Sequence, residues 1–202
     1  MKLYFSPGAC SLSPHVALRE VGVPFDLVQV DLRAKKTKAG DDYLAINPKG
    51  YVPALRLDDG ELVTEGAIIV QYIADLRPEL RLAPPPGTPE RRRLQEWLHF
   101  IATELQKGFA PINNPNAGDE LKQALKARLL SRFAFLAQAL EGKRFLLDTF
   151  SVADGYAYYV LRSLRKLDPA ALQGDPTLAA YFDRLSSRPA VQAAVQAEGI
   201  AP

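Results

Sequence analysis

The stretch of sequence that decides the fold is residues 53–63, which read PALRLDDGELV. Two short apolar runs flank Asp58-Asp59-Gly60, and an Asp-Gly pair between apolar runs is a strong signal for a β-hairpin. A hairpin is antiparallel by construction. The sheet that contains it is therefore not purely parallel.

The residues on either side of the hairpin alternate short strands with helices. Alternating or short apolar runs predict strands, and apolar residues three or four apart predict helices. The predicted strands are residues 2–5 and 25–30, and the predicted helices are residues 12–21, 41–45 and 65–76, with a basic loop at 33–40. The order β-α-β-(α)-β-β-α predicts a small α/β domain with a mixed sheet.

A proline-rich segment follows this first part of the chain. Five of the sixteen prolines lie within residues 78–89, and such a segment favours an extended connector. We therefore predict a first domain over residues 1–80, a linker over residues 81–88 and a second domain over residues 89–202.

The second domain is predicted to be entirely helical. Apolar stripes indicate helices over residues 90–107 and 119–140, with a loop over residues 109–116 between them. Ser151 and Asp154 form a capping box before a further apolar run. Two shorter helices follow, at about 177–186 and 190–198.

Composition excludes several classes of protein. The 202 residues carry a formal net charge of +2, which disfavours nucleic-acid binding, and no apolar run approaches the roughly 20 residues of a membrane span. One cysteine and two histidines make a structural metal site unexpected. The glycine spacing matches neither a dinucleotide fingerprint nor a Walker-type loop. We expect a soluble, cytoplasmic protein.

Cys10 is the candidate reactive group, because it lies between the first strand and the first helix. The positive end of the helix dipole and nearby free amide N–H groups would favour its thiolate. The alternative is a small buried core residue, as free cysteines often are. Position alone leaves the two interpretations equal.

Cys10, residues 47–55 and residues 64–69, taken together, resemble a glutathione S-transferase; Cys10 and residues 97–107 are most similar to the bacterial beta class. The resemblance implies a thioredoxin-like first domain, an all-α second domain and a homodimer that binds glutathione at the subunit boundary. It implies conjugation of glutathione to hydrophobic electrophiles. Thiol-disulfide or peroxide reduction through Cys10 is implied as a further activity.

The resemblance also implies how the tripeptide is held. A cis peptide bond before Pro53 would expose the Val52 main chain to its cysteinyl part, and Tyr51 stands where the family has glutamine. The alternative for Pro53 is that it only begins a strand, as prolines can.

The two charged ends of the tripeptide would meet other residues. Glu65 and Gly66 at the start of a helix would meet the γ-glutamyl group, and Lys35 would meet the glycyl carboxylate. The alternatives are an acidic first-turn residue for Glu65 and a solvated cation for Lys35.

The catalytic set departs from the family pattern. Gln106 stands where beta-class members carry a histidine, before the substrate-binding Lys107, and an amide cannot act as a base. His99 precedes Gln106 by seven residues, about two turns of a regular helix, and is a candidate replacement. The alternative for His99 is a partly exposed residue that bonds to a partner subunit.

A second hypothesis is a non-catalytic protein of the same fold that binds ligands or a regulatory partner, which the loss of the histidine would favour. A third keeps the enzyme but makes it a specialised isomerase, dehalogenase or ether-cleaving relative. Outside the site, His15 is predicted to be a core or interface residue, Trp97 a core residue, and Asp154 the cap of its helix.

Overall fold

The chain divides into two units in the computed structural model, which describes residues 1–201. One unit contains Met1–Ala83 and the chain from Ser186 onward, and the other is Pro84–Leu185. The strands are β1 (Lys2–Phe5), β2 (Asp26–Asp31), β3 (Lys36–Thr37), β4 (Ala54–Arg56) and β5 (Leu62–Thr64). The helices are α1 (Leu12–Val21), α2 (Tyr43–Ile46), α3 (Gly66–Asp75), α4 (Pro89–Phe100), α5 (Lys107–Ile112), α6 (Asp119–Leu140), α7 (Val152–Leu167), α8 (Pro169–Gln173), α9 (Pro176–Ser186) and α10 (Pro189–Ala197). A short 3₁₀ helix (Pro78–Leu80) and a π-helical segment (Ile101–Gln106) complete them.

The first unit is built on a five-stranded sheet, and this sheet is mixed, as the sequence predicts. The strand order is β3-β2-β1-β4-β5, with β1 parallel to β2 and antiparallel to β4. Leu3 at the centre pairs with Leu27 on one side and Leu55 on the other. The β4–β5 hairpin forms as expected, whereas β3 lies in a segment that the sequence predicts as loop.

Helix α1 follows the predicted bounds because both of its ends carry local signals. Pro14 falls in the first turn, where its missing N–H is not needed. Gly22 ends the helix in the left-handed conformation at φ 70°, and its amide bonds to the Leu18 carbonyl at 3.0 Å. A side chain with a Cβ adopts that conformation at a cost.

The carboxy-terminal helix α10 lies in the first unit, where it packs against α1. The Arg188 guanidinium before α10 donates two hydrogen bonds to Glu20 of α1, at 2.6 and 2.9 Å. The sequence prediction places residues 89–202 in one helical domain. Contact between segments so distant along the chain leaves no local signal, so the assignment of the last helix differs.

All the regular secondary structure of the second unit is helical, as predicted. Instead of one helix over residues 90–107 and a loop over 109–116, the chain forms α4, the π-helical segment and then α5 with Pro111 inside it. The apolar stripe continues from α4 into the π-helical segment, which is why the sequence predicts one helix over residues 90–107.

Asp154 organises the core of the second unit. Its buried carboxylate accepts hydrogen bonds from the Ser151 amide at 2.8 Å, the Ser151 hydroxyl at 2.9 Å, the Leu146 amide at 2.9 Å and the Tyr181 hydroxyl at 2.5 Å. The predicted capping box is confirmed. Burial raises the pKa of Asp154.

Two further expectations about burial have different outcomes. His15 is fully buried, as predicted. Trp97 is only half-buried, because its ring packs against Phe100 and Phe135 at a surface where Phe135 is 50% exposed. The expectation of a core tryptophan was wrong.

Within residues 1–201, no helix is long and apolar enough to cross a membrane. The same residues contain no group of three or more His, Cys, Asp or Glu side chains that could hold a metal ion.

Candidate active site

Cys10 lies in the loop between β1 and α1, one residue before the α1 N-cap, Ser11. It is partly buried. Its Sγ donates a hydrogen bond to the Val52 carbonyl at 3.2 Å. A carbonyl can accept this bond only from the protonated thiol. In this structure Cys10 therefore acts as a donor.

The amides predicted to be free at the start of α1 are partly engaged. The Leu12 N–H bonds to the Ala9 carbonyl at 3.0 Å, and the Ser13 N–H bonds to the Cys10 carbonyl at 3.2 Å. These two amides are therefore not available to a thiolate, because the chain turns tightly before the helix. The helix dipole remains directed at the loop.

The segment opposite Cys10 contains the cis peptide bond between Val52 and Pro53, which confirms the prediction. The preceding Tyr51 carbonyl accepts hydrogen bonds from the Tyr43 hydroxyl at 3.1 Å and the Asn47 side-chain amide at 2.8 Å. Burial raises the pKa of Tyr43, so its hydroxyl stays protonated as a donor. Two side chains thus hold the Tyr51 carbonyl, directly before Val52, in place.

The same segment is also held by packing against the hydrophobic core, while Tyr51 is partly exposed to solvent. Val52 belongs to a buried cluster with Tyr4 and Tyr43, against which Ala9 of the Cys10 loop also packs. Tyr51 is 45% exposed. Its main-chain carbonyl is built into the site through the two hydrogen bonds from Tyr43 and Asn47.

Glu65 and Gly66 form the start of α3. Glu65 adopts a positive φ of 68° and is exposed, and Gly66 is the first helical residue and is buried. The first amides of a helix have no partner inside it. The Glu65 carboxylate pairs with Lys49 Nζ at 2.8 Å, and this bond raises the pKa of Lys49.

Lys35 reaches the same loop from the other side. Its backbone has a positive φ of 55°, and its Nζ donates to the Gly50 carbonyl at 2.6 Å. A Cβ at Gly50 would lie 2.9 Å from Leu44 Cδ2 and 3.4 Å from Lys35 Nζ. Glycine at this position therefore lets the ammonium approach the main chain.

A buried group that sequence reasoning missed fixes the loop before Cys10. Glu198 accepts from the Gly8 amide at 2.8 Å and contacts His15 Nδ1 at 2.9 Å, while Arg19 Nε donates to His15 Nε2 at 3.3 Å. An arginine side chain can only donate, so His15 Nε2 is the acceptor. His15 Nδ1 therefore carries the proton and donates a hydrogen bond to the Glu198 carboxylate. Gly8 and Glu198 are 190 residues apart, and no local pattern could have paired them.

Gln106, His99 and Lys107 belong to the second unit. Gln106 Oε1 accepts a hydrogen bond from the Tyr156 hydroxyl. His99 is exposed, and its Nδ1 bonds to the Gln95 carbonyl of its own helix at 2.8 Å. The π-helical segment between His99 and Gln106 has wider turns than an α-helix. The two residues therefore do not share one helix face, as they would on a regular helix. Lys107 begins α5.

Comparison with known families gives matches along most of the chain. Residues 8–76 match the family model for the glutathione S-transferase N-terminal domain, and residues 100–189 match that for the glutathione S-transferase C-terminal domain.

Individual relatives match over the whole length. Glutathione S-transferase GstA of Escherichia coli O157:H7 is 45% identical over 201 residues, covering 99% of this chain and 100% of the relative. A sphingomonad glutathione S-transferase solved in complex with glutathione is 45% identical, with a TM-score of 0.95 and 100% of both chains covered. A bacterial beta-class enzyme from Sphingomonas chungbukensis is 44% identical, with a TM-score of 0.94 and the same coverage.

Proposed function

Because the chain belongs to the glutathione S-transferase family, we propose that it binds glutathione along the Val52 main chain and presents the tripeptide's sulfur beside Cys10. The protein is a transferase that uses glutathione as its co-substrate. Each part of the tripeptide would meet a different group of this chain.

The observation that carries this proposal is the 3.2 Å contact between Cys10 Sγ and the Val52 carbonyl. A peptide that pairs strand-like with Val52 competes for that carbonyl, since main-chain pairing uses both its N–H and its C=O. Cys10 then turns its S–H toward the sulfur of the bound cysteinyl residue. This places a donor against the atom that must ionise.

The ends of the tripeptide are matched by charge. The γ-glutamyl ammonium binds the Glu65 carboxylate, which it shares with Lys49 Nζ. The γ-glutamyl carboxylate accepts hydrogen bonds from the N–H groups of Gly66 and its neighbour. Lys35 Nζ, held at Gly50, receives the glycyl carboxylate. Tyr51 contributes its main chain and one exposed aromatic face.

The transfer step uses the sulfur as nucleophile. The glutathione thiol loses its proton to solvent, and the thiolate attacks an electrophilic carbon of a hydrophobic substrate. A carbon–sulfur bond forms as the leaving group departs with its electron pair. Cys10 and the α1 dipole stabilise the thiolate before attack. No protein base is needed if the thiol is already ionised.

Gln106 is proposed to orient the reacting groups. Its carbonyl oxygen is occupied by Tyr156, which leaves the amide nitrogen to donate to a sulfur or a water. His99 is exposed and bonded to its own helix, so we assign it no proton transfer. Lys107 is proposed to attract anionic substrate groups.

A second reaction follows from the same cysteine. As thiolate, Cys10 attacks the glutathionyl sulfur of a mixed disulfide, a Cys10–glutathione disulfide forms and the other thiol leaves. A second glutathione then attacks that disulfide, releases Cys10 and departs as oxidised glutathione. Glutathione supplies both electrons.

We further propose a homodimer. Trp97, Phe100 and Phe135 form an aromatic patch on one surface of the second unit, with ring centroids 5.2 to 6.1 Å apart. Exposed aromatic clusters are typical of protein interfaces. The cytoplasmic location stays a prediction.

The test replaces Cys10 and measures both reactions. In Cys10→Ala we expect conjugation of a chloroaromatic substrate to fall several-fold and reduction of a glutathione mixed disulfide to be abolished. Calorimetric glutathione binding controls for the integrity of the site. Unchanged rates in both assays would remove Cys10 from the mechanism, and absent turnover in the wild type despite glutathione binding would favour a non-catalytic role.

A further inference from the structure

Lys49 is a cation beside the proposed glutathione site that takes no part in the transfer step. It lies in the loop between α2 and β4, directly before Gly50. Its Nζ donates hydrogen bonds to Thr64 Oγ1 at 2.9 Å and to Glu65 Oε1 at 2.8 Å. Two acceptors on the chain that leads into α3 thus hold the ammonium at the start of that helix.

The main chain of Lys49 is fixed as well as its ammonium. The Lys49 N–H donates to Asn47 Oδ1 at 3.2 Å, and the buried Asn47 side chain also donates to the Tyr51 carbonyl at 2.8 Å. The ammonium and the main chain next to Val52 therefore share one anchor. A binding group that is ordered before its ligand arrives loses less conformational freedom when the ligand binds.

The ion pair between Lys49 and Glu65 keeps one hydrogen-bonding position open on each side. An ammonium has three N–H donors, and within residues 1–201 Lys49 Nζ bonds to two acceptors. The Glu65 carboxylate bonds to Lys49 through Oε1, which leaves Oε2 to accept from a ligand. The two side chains are 44% and 56% exposed, so a ligand can reach both. The pair therefore presents a cation and an anion side by side.

An amino-acid group with a free ammonium and a free carboxylate matches such a pair. The γ-glutamyl end of glutathione is a group of this kind, because its peptide bond uses the side-chain carboxyl. We propose that Lys49 binds the α-carboxylate of glutathione and makes the protein selective for a zwitterionic head group. The ammonium of that group binds Glu65 Oε2, and its carboxylate accepts from Lys49 Nζ and from the Gly66 N–H. This inference rests on the proposed glutathione site and adds a specificity-determining residue to it.

Steady-state kinetics with a chloroaromatic substrate test the role of Lys49. In Lys49→Gln, KM for glutathione should rise about fivefold, which is the upper range for one partly exposed ion pair. We expect kcat to stay the same, because the contact is equally strong in the ground state and the transition state. Lys38→Gln is the matched control, since it removes a charge from an exposed position of the same unit, and KM should stay within about twofold of the wild type. Equal KM values for the two variants would overturn the proposal.

An analogue of glutathione identifies the group that Lys49 binds. In γ-aminobutyryl-cysteinylglycine the α-carboxylate is absent and the ammonium remains. Titration calorimetry should show that wild type and Lys49→Gln bind this analogue with the same affinity, whereas wild type binds glutathione more tightly than the variant does. An equal loss of affinity for both ligands would mean that Lys49 does not contact the α-carboxylate.

Glu65→Gln separates a failure of this inference from a failure of the proposed glutathione site. Weaker glutathione binding by Glu65→Gln, with unchanged binding by Lys49→Gln, would overturn the role of Lys49 and support the site. Unchanged binding by both variants would overturn both proposals. Tighter binding by Lys49→Gln would show that Lys49 competes with the tripeptide for Glu65, and it would overturn the inference too.

Discussion

At the scale of single residues, the Cys10 hydrogen bond separates this cysteine from a permanently ionised nucleophile. Its S–H bonds to Val52, and two of the amides that could have stabilised a thiolate bond elsewhere. The residue is therefore suited to donate to another sulfur, and it becomes a nucleophile only after it releases Val52. Glutathione, through Val52, would control that release.

Gln106 gives the first prediction at this scale. In Gln106→His, the imidazole can accept from Tyr156 with one nitrogen, and it adds a group that titrates near pH 6.5. We expect kcat/KM for conjugation to rise several-fold above that pH, in a profile that the wild type lacks. Steady-state kinetics from pH 5.5 to 8 measure it, with Gln106→Leu as the control that provides no base. If the ratio of kcat/KM between Gln106→His and Gln106→Leu is the same at every pH, proton transfer at residue 106 does not limit turnover.

At the scale of elements, we expect the contact between the end of α10 and the Cys10 loop to stabilise both segments. The Glu198 carboxylate bonds to the Gly8 amide and to His15, and the His15 and Glu198 side chains are fully buried. Removing a buried acceptor leaves its donors without partners, which costs more than the bond itself contributes.

Glu198→Ala is therefore expected to lower the free energy of unfolding by about 3 kcal/mol. Glu20→Ala removes the two hydrogen bonds that the Arg188 guanidinium donates to α1, at a partly exposed position, and should cost about 1 kcal/mol. Urea denaturation measures both variants. Equal losses of unfolding free energy would mean that burial of the Glu198 carboxylate does not raise the cost of removing it.

Asp168 gives a pH-dependent prediction for the end of α7. The Lys126 ammonium at 2.8 Å and the Ala171 amide lower the pKa of Asp168 below its ordinary value of 3.8. A lowered carboxyl pKa stabilises the folded state above the unfolded value, and this contribution is lost as pH falls through the folded pKa. The stability difference between wild type and Asp168→Asn should thus be constant from pH 7 to 5 and shrink below about pH 4. A difference that grows on acidification would contradict the assignment.

At the scale of the whole molecule, local signals predicted the elements and long-range contacts escaped prediction. The hairpin at Asp58-Asp59-Gly60, the stop at Gly22 and the capping box at Ser151 are each encoded within a few residues, and all three form. The cis bond at Pro53 came from family resemblance and also holds. Spacing alone would not have supplied it.

The features that escaped prediction share a physical cause. Contact between Glu198 and Gly8 depends on tertiary packing, and the π-helical segment at Ile101–Gln106 keeps the same apolar residues as a regular helix. Trp97 looked like a core residue because its spacing fits the stripe, yet the stripe extends to an exposed patch. Periodicity reports which side of a helix is apolar, and it does not report what covers that side.

The aromatic patch gives the prediction about assembly. If Trp97, Phe100 and Phe135 lie at a dimer interface, Phe135→Ser should weaken self-association at least tenfold in sedimentation equilibrium. Leu121→Ser is the matched control, because Leu121 is 55% exposed on the same helix and lies outside the patch. Equal dissociation constants for the two variants would place the interface elsewhere.

The central claim is that the Val52 main chain and Cys10 together receive the reacting part of glutathione. A crystal structure of the protein with reduced glutathione tests it directly. We predict that the cysteinyl residue pairs with Val52, that Cys10 has left the Val52 carbonyl and that the two sulfur atoms lie within about 4 Å. Glutathione bound with its sulfur away from Cys10, while the thiol still bonds to Val52, would contradict it.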